Sequence, residues 1–374
     1  MLRIVIDINH PAHVHFFKNF YWQMKRNNHD LLVTASRKEM AFDLLGSYDI
    51  NFVDLGSYGN TLFSKARNLL NLDYKMYKVC SEFKPDIMVG LGSVRAPHVA
   101  SILKKPYIAF KDSETMEQYI LWGHFANVVC TPACFRKNLG KRQLRYDGYH
   151  ELAYLHPNFF KPDRSILDEL GVEKKDKYAI VRFVAWRASH DVGKQGIKKQ
   201  RQLVEELAKH CTVFVTAELG DSLELKQYYM KIKPERIHHA MYYASLFLGD
   251  SQTMATESAL LGTPAIRCNS FVGPNDMGNF IDLEKKYDVL HNTNNESIAL
   301  KMAKRLIADD NSKLKWQSKT KKIFQEKIDV TSFMMWLVEG YPKSVEIAKN
   351  DISWQLMFMQ RHNVFPVGYT SNSI

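Results

Sequence analysis

Short apolar runs alternate with amphipathic stretches along this chain, pause, and then start again. That doubled rhythm constrains the fold more than any other feature. Leu2–Ile8 is a short apolar run bounded by Asn9-His10-Pro11, the pattern of a buried parallel strand. His13–Arg26 follows with helical spacing, then Leu31–Ala35 as a strand, Arg37–Leu45 as a helix and Asn51–Leu55 as a strand. A long amphipathic helix over Phe63–Phe83 leads into strand Ile87–Gly90, helix Ala96–Leu103, and strands Tyr107–Phe110 and Val128–Cys130. Such alternation specifies a parallel sheet with helices on both faces.

The rhythm breaks over about residues 150–175, which carry two prolines and many charges. It resumes with strand Tyr178–Phe183, helix Gln195–His210, strand Thr212–Ala217 and helix Ser222–Met230. Ile237–His239 reads as a short strand and Met241–Ala244 as a short helix. Strand Ser245–Gly249, helix Thr253–Leu261 and strand Ala265–Arg267 follow, and residues 296–345 read as helical. The expected class is α/β with two doubly wound, Rossmann-like lobes. Residues 1–155 form the first, 156–176 a linker, 177–330 the second, and 331–374 a C-terminal helix and tail. A chain of 374 residues fits two such domains better than one core. A cleft is expected at the carboxyl ends of the two sheets.

Charge narrows the ligand. The net charge is +11, split evenly as +6 over residues 1–155 and +5 beyond. That balance suits an anionic small ligand or a peripheral hold on anionic lipid. No zinc-finger, RRM-like or basic-helix pattern supports nucleic acid, so none is expected as a partner. Five cysteines, an odd and sparse set, fit a reducing compartment. Cys130 and Cys134 lack a second pair, so no metal is expected. The chain opens on a strand without a leader. Its nearest approach to a spanning segment, Tyr119–Phe135, is broken by Gly123, His124, Asn127 and Pro132. The cytoplasm is the expected location, with the inner face of the membrane as a peripheral alternative. D-x-D, G-x-x-x-x-G-K-[ST] and G-x-S-x-G are all absent, which favours a metal-independent reaction without a cofactor.

Leu248–Pro264 carries the most specific chemistry. A strand ends in a polar turn, and a helix starts at Ser251, Gln252 and Thr253. Free N–H groups at a helix start, with hydroxyls beside them, bind phosphate. Glu257, one turn inside, could accept both hydroxyls of a ribose. The plain alternative is a capped helix with Ser251 as its cap and Glu257 on a solvated face. The segment resembles the nucleotide-binding motif of GT-B proteins, particularly the non-hydrolysing UDP-GlcNAc 2-epimerases, D-S-G-G-x-Q-E-E-A-P-x-L-G-x-P. Asp250, Ser251, Glu257, Gly262 and Pro264 fall in register. Gln252 and Thr253 replace the motif glycines, and Thr256 replaces the first glutamate. The phrases HPAHVHFF, GYHELAYLHP and ASHDVG further resemble an uncharacterised bacterial and archaeal family of GT-B-like proteins, over about residues 1–345. The resemblance implies a GT-B fold, phosphate contacts at Ser251, Gln252 and Thr253, and ribose contact at Glu257.

It also implies where the remaining candidates would sit. The loop holding His10, His13 and His15 falls at the acceptor side of a GT-B cleft. An imidazole there can take a proton from an attacking hydroxyl, and His13 is the first choice. The Gly90–Arg95 turn, with Gly92, Ser93 and Arg95, resembles the glycine turn of lipid-linked GT-B glycosyltransferases and would approach an acceptor. Asp112 and Glu114 share the expectation of a cleft carboxylate. Arg182 would face the diphosphate. Arg187, His190 and Asp191 follow it, with His190 orienting phosphate or sugar. His239 and Met241 would cradle the base through main-chain contacts; His238 and His239, adjacent on a strand, would point apart and hold no metal. The aromatic, basic helix from Phe16 to Arg26 reads either as a membrane contact or as a core face.

These expectations converge on a glycosyltransferase. It would move a sugar from a nucleotide-diphosphate donor, uridine-linked, to a hydroxyl on a glycan or lipid-linked acceptor in surface polysaccharide or glycolipid synthesis. A nucleotide-sugar 2-epimerase and a non-catalytic nucleotide-sugar binder are the alternatives. Oligomeric state is not legible.

Overall fold

The computed structural model describes residues 1–38, 40–57, 59, 62–185, 194–217 and 223–359, with the backbone alone described at 62–67. The first sheet takes β1 (Arg3–Ile8), β2 (Asp30–Ser36), β3 (Val53–Gly56), β4 (Ile87–Leu91), β5 (Tyr107–Phe110), β6 (Val128–Pro132) and β7 (Gln143–Tyr146). Their order is β3-β2-β1-β4-β5-β6-β7, with every neighbouring pair parallel. The helices threaded between them are α1 (Pro11–Arg26), α2 (Ala41–Ser47), α3 (Leu62–Phe83), α4 (Arg95–Ile102) and α5 (Tyr119–Trp122). Short helices α6 (Leu152–Leu155) and α7 (Ile166–Leu170) lead to the second sheet.

That sheet takes β8 (Tyr178–Phe183), β9 (Thr212–Ala217), β10 (Leu246–Gly249), β11 (Ala265–Cys268) and β12 (Leu290–Thr293), in the order β12-β11-β10-β8-β9 and again parallel throughout. Its helices are α8 (Gln200–Ala208), α9 (Ile237–Tyr243), α10 (Gln252–Leu260), α11 (Gly278–Lys285) and α12 (Glu296–Ala308). The chain closes with α13 (Ser312–Glu326), α14 (Val330–Glu339) and α15 (Lys343–Asn350). The strand order reverses between β1 and β4 in one sheet and between β8 and β10 in the other. Chain connections diverge at such switch points and leave a crevice for a ligand. The fold is therefore α/β with two doubly wound parallel sheets, as the alternation predicts.

Burial explains which elements are legible. Ile4, Val5 and Ile6 are all fully buried, so β1 reads as a short apolar run. β7 is an edge strand whose residues alternate half-buried and buried, and so short a run carries little signal. β7, α11 and β12 all go unread in the sequence.

Two expectations change. The strand at Ile237–His239 and helix at Met241–Ala244 are one helix, α9. Its buried side chains, His238 and Met241, stand three apart and Ala240 lies between them, which is a helical stripe. The Gln195–His210 helix begins only at Gln200. Residues before it are tied down outside the helix: Ser270 Oγ accepts the Gln195 N–H (2.8 Å) and Glu296 the Lys198 N–H (2.6 Å). The linker is packed, with His156 fully buried and its ring edge-on to Phe324 at 5.9 Å.

The C-terminal helices return to the first sheet. α14 packs on α1 and α6, while Trp336 stacks on Trp354 at 5.4 Å and Phe333 on Trp354 at 4.9 Å. Most of the aromatic face of α1 is thereby used up: Phe16, Phe17, Phe20 and Tyr21 are buried, so this helix is a core element, with Trp22 39% exposed. Among the described residues no helix is long and apolar enough to cross a membrane.

Candidate functional site

On the second sheet the switch point is built by close approach. Gly249 pairs with Arg182, and a Cβ on Gly249 would lie 2.6 Å from the Arg182 carbonyl oxygen. Glycine is thus needed for β10 to lie against β8 here. Asp250 then turns its carboxylate onto the N–H groups of Val184 (2.8 Å) and Ile197 (3.3 Å), fixing both ends of the loop after β8. Ser251 caps α10, its Oγ accepting the Met254 N–H at 3.4 Å. The N–H groups of Gln252 and Thr253 donate to nothing among the described residues. Thr253 is exposed and Gln252 half-buried. Arg182, half-buried, is the penultimate residue of the neighbouring strand β8. Two N–H groups thus stay open at the positive end of α10, and a helix start of this kind attracts anions.

Glu257 lies deeper, 4% exposed, and is not on a solvated face. Its Oε1 accepts the Tyr154 hydroxyl (2.7 Å) and faces His238 Nε2 at 2.9 Å. Oε2 accepts no hydrogen bond among the described residues. Burial by itself would raise the Glu257 pKa, but the His238 charge, these two hydrogen bonds and Lys18 outweigh it, and the pKa is lowered. The carboxylate is therefore ionised at neutral pH with one oxygen committed and one uncommitted. His238 in turn packs edge-on to His15 at 4.7 Å, and His15 Nδ1 meets the Tyr48 hydroxyl at 3.2 Å. This chain of rings joins α10 of one lobe to α1 of the other. Burial drives the His15 pKa well below its usual value, and pulls Lys18 down to about 8.

The first-sheet switch point rests on a buried ion pair. Asp7 and Arg95 are both fully buried, with Nη2 of Arg95 at 2.7 Å and Nε at 3.0 Å from Oδ1 of Asp7. Thr34 Oγ1 (2.8 Å) and Ser93 Oγ (2.5 Å) donate to the same carboxylate, and Arg95 also reaches Ser36 Oγ and the Ile8 carbonyl. A buried pair this well bonded fixes geometry; removing one partner costs about 3–5 kcal/mol. Ser93 and Arg95 are thus floor supports beneath the cleft. Gly92 keeps surface in this turn, its N–H donating to the Phe110 carbonyl at 3.0 Å.

Above that floor His10 caps α1, its Nδ1 accepting the Ala12 N–H at 3.1 Å. An accepting Nδ1 leaves the proton on Nε2, so neutral His10 is a hydrogen-bond donor. Burial, with the charges of Lys38 and Arg182, pushes its pKa down to about 3, against Asp112. His10 thus has a charge from each lobe within electrostatic reach. His13 Nδ1 is buried without a partner, while its Nε2 makes no hydrogen bond among the described residues. Burial, then the neighbouring His10 and Lys38, hold the His13 pKa well below 6.5. The ring is neutral, as a general base must be. Asp112 is exposed and accepts the Ser113 N–H at 2.6 Å.

Two residues here escape a motif-based reading. His150 is 5% exposed, stacks on Phe16 at 4.5 Å, and meets the Tyr146 hydroxyl at 2.6 Å through Nδ1, leaving Nε2 buried and unpartnered. Glu151, also buried, lies within electrostatic reach of Asp112 and Glu257. Burial first, then the Asp112 charge, raises its pKa well above the usual carboxyl range. The available signal was the phrase GYHELAYLHP itself, in which His150, Glu151 and Tyr154 interrupt an apolar segment.

The remaining candidates stand apart from the cleft floor. Glu114 Oε1 accepts the N–H groups of Arg136 (3.0 Å) and Gly278 (2.9 Å), tying the first lobe to the start of α11. His239 turns away from Glu257, accepts the Asp163 N–H at 3.0 Å and stacks on Phe160. Met241 is fully buried, and its carbonyl accepts Thr263 Oγ1 at 2.7 Å. The main-chain cradle expected at His239 and Met241 is replaced by a helix that points His238 inward. Arg187, His190 and Asp191 lie outside the described residues. Among the described residues no group of three or more His, Cys, Asp or Glu is placed to hold a metal ion.

Known proteins share this frame. The uncharacterized protein MJ0665 of Methanocaldococcus jannaschii is 25% identical over 281 residues, covering 71% of this chain and 82% of its own. The UDP-GlcNAc 2-epimerase of Neisseria meningitidis, solved bound to UDP-GlcNAc, superposes with a TM-score of 0.57 at 12% identity, over 86% of this chain and 98% of that one. The spinosyn rhamnosyltransferase SpnG, complexed with spinosyn aglycone, gives a TM-score of 0.59 at 9% identity, over 90% and 100%. These likenesses establish the two-lobed architecture of GT-B glycosyltransferases and UDP-GlcNAc 2-epimerases. At sequence level the model described as "Protein of unknown function (DUF354)" matches residues 2–333, and the chain belongs to that family.

Proposed function

We propose that this chain is a metal-independent GT-B glycosyltransferase. It takes a sugar from a nucleotide-diphosphate donor, uridine-linked, and passes it to a hydroxyl on a glycan or lipid-linked acceptor in surface polysaccharide or glycolipid synthesis. Residues 1–155 serve as the acceptor lobe and 177–330 as the donor lobe. The observation that carries this reading is the first turn of α10 at the β8/β10 switch point, capped by Ser251 but with the Gln252 and Thr253 N–H groups left open, and the ionised Glu257 one turn further in. The diphosphate sits on the N–H groups of Gln252 and Thr253, with Ser251 and Arg182 beside it. The free Oε2 of Glu257 takes the ribose hydroxyls. His13 Nε2 removes the acceptor proton, and His10, at the start of the same helix, donates a hydrogen bond beside it. Developing charge on the leaving diphosphate is met by fixed donors, which need no reorganisation during the reaction. The bound UDP-GlcNAc of the Neisseria meningitidis enzyme and the transferase activity named for SpnG support the ligand class and the reaction class in turn.

A second reading has its own support. A 2-epimerase needs two acid/base groups near one sugar carbon, and Glu151, whose pKa is raised by burial, lies within electrostatic reach of Asp112. Incubation with a panel of nucleotide sugars, with and without hydroxyl acceptors, separates the readings. Acceptor-dependent release of free nucleotide diphosphate is the expected result. Isomerised donor without acceptor would replace the transferase by the epimerase. Binding without turnover would leave a nucleotide-sugar receptor.

A further inference from the structure

The helices on the two faces of the first sheet are treated differently. α1 is covered by α14, whereas nothing in the described chain covers α3, α4 and α5. α3 is apolar on two sides. Leu72, Met76 and Cys80 are buried against the sheet. Leu70, Tyr74 and Tyr77 form a second stripe at helical spacing and are 74%, 66% and 38% exposed. Beside them α4 presents Ile102, and the α5 segment presents Ile120 and Leu121, each more than half exposed.

These side chains form one surface because a histidine joins their helices. His98 on α4 meets Asp73 on α3 through Nδ1 (3.0 Å) and the Leu121 carbonyl through Nε2 (3.0 Å), and its ring packs on exposed Phe125 at 5.0 Å. Cations border the patch. Lys78 follows Tyr77 on α3 and Lys104 follows α4. Lys141 and Arg142 share a surface hollow with Tyr119 and His124. Of the acidic residues on these elements, Asp73 is engaged by His98, leaving Glu82 and Glu117 exposed.

We propose that the α3–α4–α5 face docks on an anionic phospholipid bilayer. Scattered exposed apolar residues need no explanation, but a contiguous patch with more cations than anions at its rim does. Tyrosine and aliphatic side chains suit the headgroup boundary, and lysine and arginine suit its negative surface potential. The charge of the rim selects lipid over a second copy of the same face, since two such faces would oppose their cations. The inference deepens the lipid-linked side of the proposed function, and its test needs no turnover, so a failure of the transfer chemistry and a failure of the surface are read separately.

The test is co-sedimentation of the full chain with phosphatidylcholine vesicles and with vesicles also holding phosphatidylglycerol. Binding is expected to the second kind only, and to weaken with salt. Leu70→Ser combined with Leu121→Ser, and separately Lys104→Glu combined with Arg142→Glu, should each weaken partitioning by about tenfold or more. Circular dichroism checks that both variants remain folded. No affinity for phosphatidylglycerol vesicles would overturn the proposal, and so would equal binding by folded variants. A wild-type dimer dissociated by the leucine pair, without vesicle binding, would assign the face to a second copy instead.

Discussion

Glu257 and His13 are the residues on which the two halves of the proposed chemistry can be tested apart. Glu257 is ionised and offers one oxygen to a ligand, so Glu257→Ala should weaken uridine diphosphate binding by about 1.5–3 kcal/mol, the scale of a hydrogen bond to a charged group. Calorimetry on a folded variant with unchanged affinity would remove the ribose contact. The same truncation strips a partner from buried His238, so Glu257→Gln, which keeps a bonding oxygen, should lose less. His13 stands on the other lobe. His13→Ala should cut turnover by roughly 10²–10⁴-fold while leaving donor affinity nearly intact. A rate that merely follows donor affinity would make His13 a binding residue, and full activity would pass the role to Asp112. Since burial keeps His13 neutral well below pH 6.5, the acid limb of kcat/KM should lie below the ordinary histidine range.

At the scale of elements, the first turns of α1 concentrate an acid sensitivity. His10, His13 and His15 all have folded pKa values below the unfolded value, chiefly through burial. Between those values the unfolded chain binds more protons than the folded one. Their contribution to stability is therefore intact above about pH 6.5 and lost as pH falls, at up to about 1.4 kcal/mol per pH unit for each histidine. Glu257, also lowered, acts in the same direction further down; Glu151, raised, opposes it. Urea unfolding at pH 7.5 and 5.5 should show the loss, and His15→Asn should flatten the slope by about one proton. An unchanged slope would mean that His15 is protonated in the fold. This same loop was legible in sequence because Asn9-His10-Pro11 closes an apolar run, and the α10 turn because a polar segment follows another. What joins them was not legible. The bonds from Glu257 to His238 and Tyr154 connect three distant segments, and adjacency in space has no signature in local periodicity. His238 was misplaced for a related reason: four residues fit a strand or a helix equally, and the buried spacing of His238 and Met241 decides only once the neighbours are known.

At the scale of the molecule, two kinds of contact join the lobes. One is the soft, ring-lined stack from His15 to His238 behind Glu257. The other is hard. Glu114 is bound by N–H groups from both lobes, Arg136 Nη1 donates to the carbonyl of Asp276 (2.9 Å), and Gly278 lies so close to the Cys134 carbonyl that a Cβ has no room. A joint that admits no side chain cannot slide, but it can turn. The lobes are then less like jaws that part than like tongs on a rivet, with the rivet beside α11 and the working tips at Thr253 and His10. A methyl group set into the rivet should be felt at the tips. Gly278→Ala is expected to cost about 1–3 kcal/mol of stability, the scale of overpacking. It should also enlarge the radius of gyration in small-angle scattering and weaken nucleotide binding, although Gly278 touches no proposed ligand. Normal scattering with normal affinity would show that the tongs turn about some other point.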